Sequence, residues 1–451
     1  MSKNITVHTV VFMGMILTLL LMISSCSFSE RHGTLKDITP ENEKETEEEE
    51  TEEESGEESE EREEEETPPP VWNLVLMVYM ASDNDLESYA LSNLREMERA
   101  EAEGVKILVL LDRAEGYDET DGNWTDTRLF EVVHDETSDA RIKSRRLSAP
   151  QLGLSASTNT ELDMSKPSVL RGFIEFSKQA YEAEKYALII WGHGNGWQAV
   201  TVDDRSSSYM SVKELAQAVT NQNLSVIGFD TCFGGVFENV YEIKDCAEYT
   251  AACPGITPNT GWNYRELLEA LSEEDCDSKA IAEKMAHSAQ VSVTVFVNAK
   301  LGTLMEDFEE FSRALALSIN DTDSQNRVLN ELLNIRSYSY TSNPCDIYID
   351  IPSMTAFYAQ STDENLAQAA GNLRGKLEHS LIAQENQSAG LGVHLIPKSA
   401  SGAVAAMHSR DYLKDNSRQN QCSFIKQSRW WVPSTNGNSG SLLDKLFYTV
   451  F

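Results

Sequence analysis

Four stretches of this 451-residue chain constrain its fold more than anything else in it. VWNLVLMVYM (71–80), VKILVLL (105–111), KYALIIW (185–191) and LSVIGFD (224–230) are apolar almost without interruption. A strand with one solvated face alternates apolar and polar residues, so such runs mark strands buried on both faces. Helix-length segments lie between them. Over about 84–103, Leu86, Tyr89, Ala90, Leu94 and Met97 recur at helical spacing, with Asp83 or Asn84 placed to cap. Pro167 stands where a helix over about 167–183 would begin, and another is expected near 211–221. LFEVV (129–133) reads as a short strand, and the polar, basic stretch 134–166 as a surface excursion. This alternation predicts an α/β layered fold around a largely parallel sheet. Beyond residue 275 long helical stretches follow (about 277–290, 303–319, 323–336 and 363–384), broken by candidate strands VSVTVFV (291–297) and GLGVHLI (390–396). No fixed-period repeat and no second linker appears. Residues 71–451 therefore read as one domain, a core over about 72–298 with C-terminal helical additions over about 299–451.

The first 70 residues belong to a different kind of chain. TVVFMGMILTLLLMI (9–23), behind Lys3, is too short for a membrane span, which needs roughly 20 residues, and fits the apolar core of a secretory signal. It ends in Ile23-Ser24-Ser25-Cys26, which resembles the lipobox of bacterial lipoproteins, where the cysteine becomes the acylated N-terminus. The other reading is an ordinary signal peptide with an incidental cysteine. Several acyl chains on Cys26 would anchor the protein firmly to a membrane, so the expected setting is the bacterial cell envelope, exported and lipid-anchored at the outer membrane or cell surface. Residues 27–70 hold 20 acids and 4 bases and end in Pro68-Pro69-Pro70. Like charges extend such a segment and it has nothing to bury, so it reads as a disordered Glu/Pro-rich tether. A calcium-collecting or partner-binding tail is the alternative.

Net charge is −36, and −21 of it remains on residues 71–451 after the tether and Lys3 are set aside. A basic nucleic-acid binder is excluded, because the polyanion would be repelled.

In sheets of the expected kind, ligands bind beyond the carboxyl ends of the strands. Two buried strands end there in reactive residues. One runs into Trp191-Gly192-His193-Gly194-Asn195-Gly196-Trp197, the other into Gly228-Phe229-Asp230-Thr231-Cys232-Phe233-Gly234-Gly235. Parallel neighbours would bring His193 and Cys232 to one edge. Glycines around His193 let backbone approach closely and free the Gly194 N–H to face a ligand. Cys232 is expected to open the following helix, whose dipole would stabilise a thiolate. Such a pair supports nucleophilic attack on a carbonyl; a satisfied core histidine and an inert buried thiol are the competing reading. GHGNG lacks the Lys-Ser/Thr of a phosphate loop, and the remaining histidines are too scattered for a zinc site.

The stretch VLMVYMASDNDLESYALSNLREME, the WGHGNGW turn and the GFDTC turn together resemble the clostripain family of cysteine peptidases, members of the caspase-like clan. Leu111-Asp112-Arg113 and Gly261-Trp262-Asn263-Tyr264 agree as well. The likeness is good over about 72–265 and loose beyond. It implies a caspase-like α/β/α fold and a cysteine endopeptidase acting on protein or peptide substrates. His193 would then be the catalytic histidine, Cys232 the nucleophile, and the N–H groups of Gly194 and Cys232 the oxyanion hole. Asp230 matches the acid that the family places near the primary specificity pocket, where a carboxylate selects Arg or Lys; capping the next helix is its alternative role. Where relatives carry an acidic pair before a Pro-Gly-x-Gly-Trp turn, this chain has Ala251-Ala252-Cys253-Pro254-Gly255, so part of that acidic pocket is missing.

Clostripain-like enzymes are often cut between the histidine and the cysteine. Arg205, in Asp203-Asp204-Arg205-Ser206-Ser207-Ser208, is the expected site there, with Arg141–Arg146 as a second candidate. No cofactor is required on the sequence. The resemblance leaves calcium open, although no calcium-loop spacing is present. With Cys26 and Cys232 assigned, Cys246, Cys253, Cys276, Cys345 and Cys422 are an odd number, which excludes a full disulfide framework. Nothing in the sequence sets an oligomeric state. The alternative from another class is an inactive surface lipoprotein that uses the same fold to bind proteins or peptides.

Overall fold

The computed structural model describes residues 71–137, 141–272, 276–340, 343–384 and 387–395, with shorter pieces at 422–424, 428, 430 and 442–447. Cys26, the tether and Cys345's side chain lie outside the described residues. The apolar runs form the centre of a nine-stranded mixed sheet. Its strands are β1 (Trp72–Ala81), β2 (Val105–Leu111), β3 (Arg128–Glu131), β4 (Arg145–Leu147), β5 (Ala183–Gly192), β8 (Leu224–Asp230), β9 (Ala247–Ala252), β10 (Thr294–Val297) and β13 (Leu381–Ile382), in the order β13-β10-β9-β8-β5-β1-β2-β3-β4. The five inner strands β9, β8, β5, β1 and β2 are parallel; the outer ones are antiparallel.

Both faces of the sheet are covered. Along β1, Val75, Met77 and Tyr79 point into one core and Leu74, Leu76, Val78 and Met80 into the other. The first core is closed by α2 (Pro167–Ala180), α3 (Val212–Val219), α4 (Phe237–Glu242) and α7 (Leu301–Leu317), through Phe173, Leu215, Phe237 and Phe308. The second is closed by α1 (Glu87–Glu98), α5 (Tyr264–Leu271) and α6 (Ser278–Ser288), through Leu94, Leu267 and Met285. The result is the α/β/α layering expected from strands with no polar face.

Four local expectations are corrected. The 134–166 stretch is not wholly a surface excursion: Arg145–Leu147 is the edge strand β4, and Ala149, Leu154 and Met164 are core residues. Helix α1 begins three residues late, because Asn84 uses its side chain to accept the Leu86 N–H at 3.0 Å and caps a turn before the helix. A polar hairpin, β6 (Thr201–Asp203) and β7 (Ser208–Met210), escaped the apolar pattern altogether. So did β11 (Ser337–Tyr340) and β12 (Asn343–Asp350), which join β14 (Gly392–Leu395) in a separate three-stranded sheet. That sheet braces the end of the core where the chain leaves β5 and β8. The Tyr348 hydroxyl donates to the Asn195 carbonyl at 3.3 Å, its ring packs on Phe233, and β14 bridges to Val236.

Candidate active site

Register fixes which turns meet. β5 and β8 pair in parallel with Trp191 opposite Asp230, so the turns bearing His193 and Cys232 leave the sheet side by side. They are in close contact: a Cβ on Gly194 would lie 2.5 Å from the Cys232 carbonyl oxygen, too near for any side chain. A narrow cleft lined by His193, Cys232, Asp230, Thr257, Asn259 and Leu86 opens there. The structure thus brings together His193, Gly194, Asp230 and Cys232, and leaves Arg205 on the neighbouring β6–β7 hairpin.

Cys232 does not open a helix, contrary to the sequence expectation. Residues 231–236 form turns, and α4 starts only at Phe237. Phe233 takes a left-handed φ of 55° and its N–H goes to the Gly255 carbonyl at 2.7 Å, while the Gly235 N–H goes to Cys253 at 2.8 Å. The chain after Cys232 is therefore laced to the 253–257 loop rather than wound into a helix. A helix dipole is not the source of any thiolate stabilisation here. The Cys232 thiol lies 3.6 Å from the Thr257 carbonyl.

His193 Nε2 is 2.6 Å from Asp85 Oδ1, an acid that the sequence reading did not single out. Asp85 follows β1, the strand next to β5, and the rule that chemistry gathers at the carboxyl ends of parallel strands would have pointed to it. The pair is open to solvent, so its value is in orienting the imidazole more than in Coulomb energy.

Asp230 ends β8 and is buried. Its Oδ2 accepts the Trp262 N–H at 3.0 Å and the Tyr264 hydroxyl at 3.0 Å, which ties it to the Gly261–Tyr264 turn. Gly261 is obligatory in that turn, with φ of 68° and only 2.7 Å between a would-be Cβ and Asp230 Oδ2. The other oxygen, Oδ1, is buried without a hydrogen-bond partner. Burial pushes the Asp230 pKa up to about 7, against the two hydrogen bonds. The 251–262 loop does shape the cleft, through Thr257, Pro258 and Asn259, and Asp230 is the acid that lines it. Capping, the alternative role for Asp230, is not what it does: α4 starts seven residues later.

Arg205 is exposed at the tip of the β6–β7 hairpin, where its guanidinium donates to Glu161 Oε2 and to the Thr125 carbonyl, each at 3.1 Å. Cys246 and Cys253 are buried thiols; burial raises the Cys253 pKa to about 11, which leaves it inert.

The clostripain family model matches residues 78–422, most of the chain. Clostripain of Hathewaya histolytica is 25% identical over 227 residues, which cover 44% of this chain and 42% of that protein. The match thus spans less than half of that relative's length. Among solved structures, the chain is similar to an inactive zymogen C11 protease from Parabacteroides distasonis (TM-score 0.54, 18% identity, 76% of this chain and 97% of the other). It is similar as well to a secreted C11 cysteine protease from Bacteroides thetaiotaomicron, solved with an irreversible peptide inhibitor (TM-score 0.54, 17% identity, the same coverage). At such identities the solved structures speak to the fold, and the family model to the lineage. With the family model matched over residues 78–422, this chain belongs to the clostripain family of cysteine peptidases.

Proposed function

We propose that the protein is an exported, lipid-anchored cysteine endopeptidase that cleaves protein or peptide chains after Arg or Lys through Cys232 and His193. The observation that carries this reading is that His193 and Cys232 line one narrow cleft, with Gly194 packed on the Cys232 carbonyl beside it. His193 takes the thiol proton, and the Cys232 sulfur attacks the scissile carbonyl carbon. The N–H groups of Gly194 and Cys232 receive the developing oxyanion. As the C–N bond breaks, His193 gives its proton to the leaving amine; it then takes one from water, whose oxygen attacks the acyl-enzyme and releases the sulfur. Asp85 holds the imidazole, and Asp230 meets the substrate's cationic side chain at the floor of the cleft.

Arg205 is the proposed processing site. Its hairpin is polar and exposed at the tip, and Asp204 beside it is near enough to His193 to feel the imidazole charge. Cutting after Arg205 would free that hairpin from the rim of the site. Intact mass of the purified active protein is expected to give two fragments joining at Arg205–Ser206; one uncut, fully active chain would overturn the processing step. A peptide library read at the residue before the cut is expected to return Arg and Lys, and Cys232→Ala to abolish cleavage. Export is supported by the apolar segment and Cys26, and by the likeness to a secreted relative; radiolabelled palmitate should enter the wild-type chain and not Cys26→Ala.

A further inference from the structure

One loop lines two openings. Thr257, Pro258 and Asn259 line the cleft that holds His193 and Cys232, while Cys253, Pro254, Gly255 and Ile256 line a second pocket of about 190 Å³. Along the chain, Pro254 can be no more than roughly 11 Å from Thr257. The Thr257 carbonyl in turn lies 3.6 Å from the Cys232 sulfur, so the pocket stands close to the cleft's reactive end. Ile256, exposed, is where the loop passes from one opening to the other. One wall of the second pocket is Tyr338, whose ring lies across Gly255 and Gly390; a Cβ on Gly255 would stand 3.1 Å from that ring. The Tyr338 hydroxyl donates to Asp350 Oδ1 at 2.8 Å, which holds the ring in place. Backbone and a tethered ring therefore give the pocket its shape.

Arg336 brings a positive charge to this pocket. Its guanidinium carbon lies 5.3 Å from the centre of the Tyr338 ring, and among the described residues the side chain makes no salt bridge. Asp350 is the acid placed to take it, since its N–H donates to the Arg336 carbonyl at 2.9 Å. The Asp350 carboxylate turns instead to the Tyr338 hydroxyl, the Leu391 N–H at 3.4 Å and the Ser353 N–H at 3.1 Å. An exposed guanidinium without a carboxylate stands out on a domain with so many acids to offer. Its planar fork of donors matches a carboxylate through two parallel hydrogen bonds.

We propose that this pocket is a subsite for an Asp or Glu side chain of the substrate, a few residues from the bond that is cut, and that Arg336 receives its carboxylate. The inference rests on the peptidase reading above and adds a specificity element opposite in sign to Asp230. Small-molecule sites usually run to roughly 300–1,000 Å³, and about 190 Å³ suits a single side chain. The cleft then reads a cation at the residue before the cut and the pocket reads an anion nearby. Uniformly basic peptides would be poorer substrates than peptides of mixed charge.

The test reads binding by fluorescence anisotropy, with the full chain carrying Cys232→Ala so that nothing is cut. The probes are labelled Ala/Gly peptides with a central Arg and a single Glu moved through each flanking position in turn, together with the Glu-free peptide. One position, or two adjacent ones, should bind about 10-fold tighter than the Glu-free peptide. Adding Arg336→Gln should remove that gain while the Glu-free peptide binds as before, which also shows that the variant folds. Arg336→Lys, a charge without the fork, should keep part of the gain. A gain at no position, or one that survives Arg336→Gln, overturns the subsite. The reading on which it rests fails separately: wild-type protein that does not cut these peptides after the central Arg overturns the peptidase assignment, while the affinity ratios still decide the role of Arg336.

Discussion

Asp230 and the Asp83–Asp112–Asp203 group are both buried acids near the carboxyl ends of the parallel strands, and they stand in different company. Asp230 is a single carboxylate with one oxygen held by Trp262 and Tyr264 and the other unsatisfied at a cleft. One charge facing an opening suits a side-chain cation that arrives and departs with each turnover. The other group gathers three carboxylates with oxygens within 4.8 Å of one another, and none of the three lines the cleft. Burial alone does not give an acid its role; how many acids share the site, and whether a substrate can reach them, does.

The largest expected effect that separates the two is on specificity. Asp230→Asn should cut kcat/KM for Arg and Lys substrates by roughly 100-fold or more, the size of losing one partner of a desolvated charge pair. Substrates with a neutral residue before the cut should change little. Asp112→Asn should leave the ratio of basic to neutral substrates as it is. If both variants shift that ratio alike, the division of labour fails.

A pH profile sharpens the same point. Asp230 in the empty enzyme titrates at about 7, so its carboxylate is ionised above that value and neutral below. The ratio of kcat/KM for an Arg substrate to that for a neutral one should rise about 10-fold between pH 6 and pH 8, and be flat in Asp230→Asn. A flat wild-type ratio would mean that Asp230 does not meet the substrate cation.

Stability should move in the opposite direction. Because the folded pKa lies above the unfolded one, from 3.8 to about 7, Asp230 contributes stability fully present below about pH 4 and lost as pH rises through 7. Denaturant titrations should show Asp230→Asn gaining at least about 1 kcal/mol on wild type from pH 5 to pH 8. Tyr264→Phe, which removes one hydrogen bond to Asp230, should cost about 1 kcal/mol, the smallest effect of the series.

The core was legible because strands buried on both faces have no polar face to disguise them; β1, β2, β5 and β8 lie within a residue or two of their apolar runs. The hairpin β6–β7 and the strands β11 and β12 were not: TVD, SYM, SYSY and NPCDIYID are short or polar and carry no continuous apolar run, although β6 pairs with β7 and β11 with β12 locally. The His193 and Cys232 turns could be found because each follows such a strand directly. The turn after Cys232 was misread as a helix start: Gly234 and Gly235 suit either, and only the 253–257 loop decides between them. Asp85 and the three-acid group were missed for one reason. Asp83, Asp112 and Asp203 end different strands and meet only once β1 and β2 pair and the hairpin folds beside them.

The central claim is that Cys232 is a nucleophile in a cleft that accepts a basic residue. Wild-type protein and Cys232→Ala should be treated with a thiol-directed peptidyl-Arg probe and with a matched probe carrying a neutral residue, then digested and weighed. The account predicts one adduct, on the peptide containing Cys232, faster with the Arg probe and absent from Cys232→Ala. No adduct at Cys232 with either probe would contradict it.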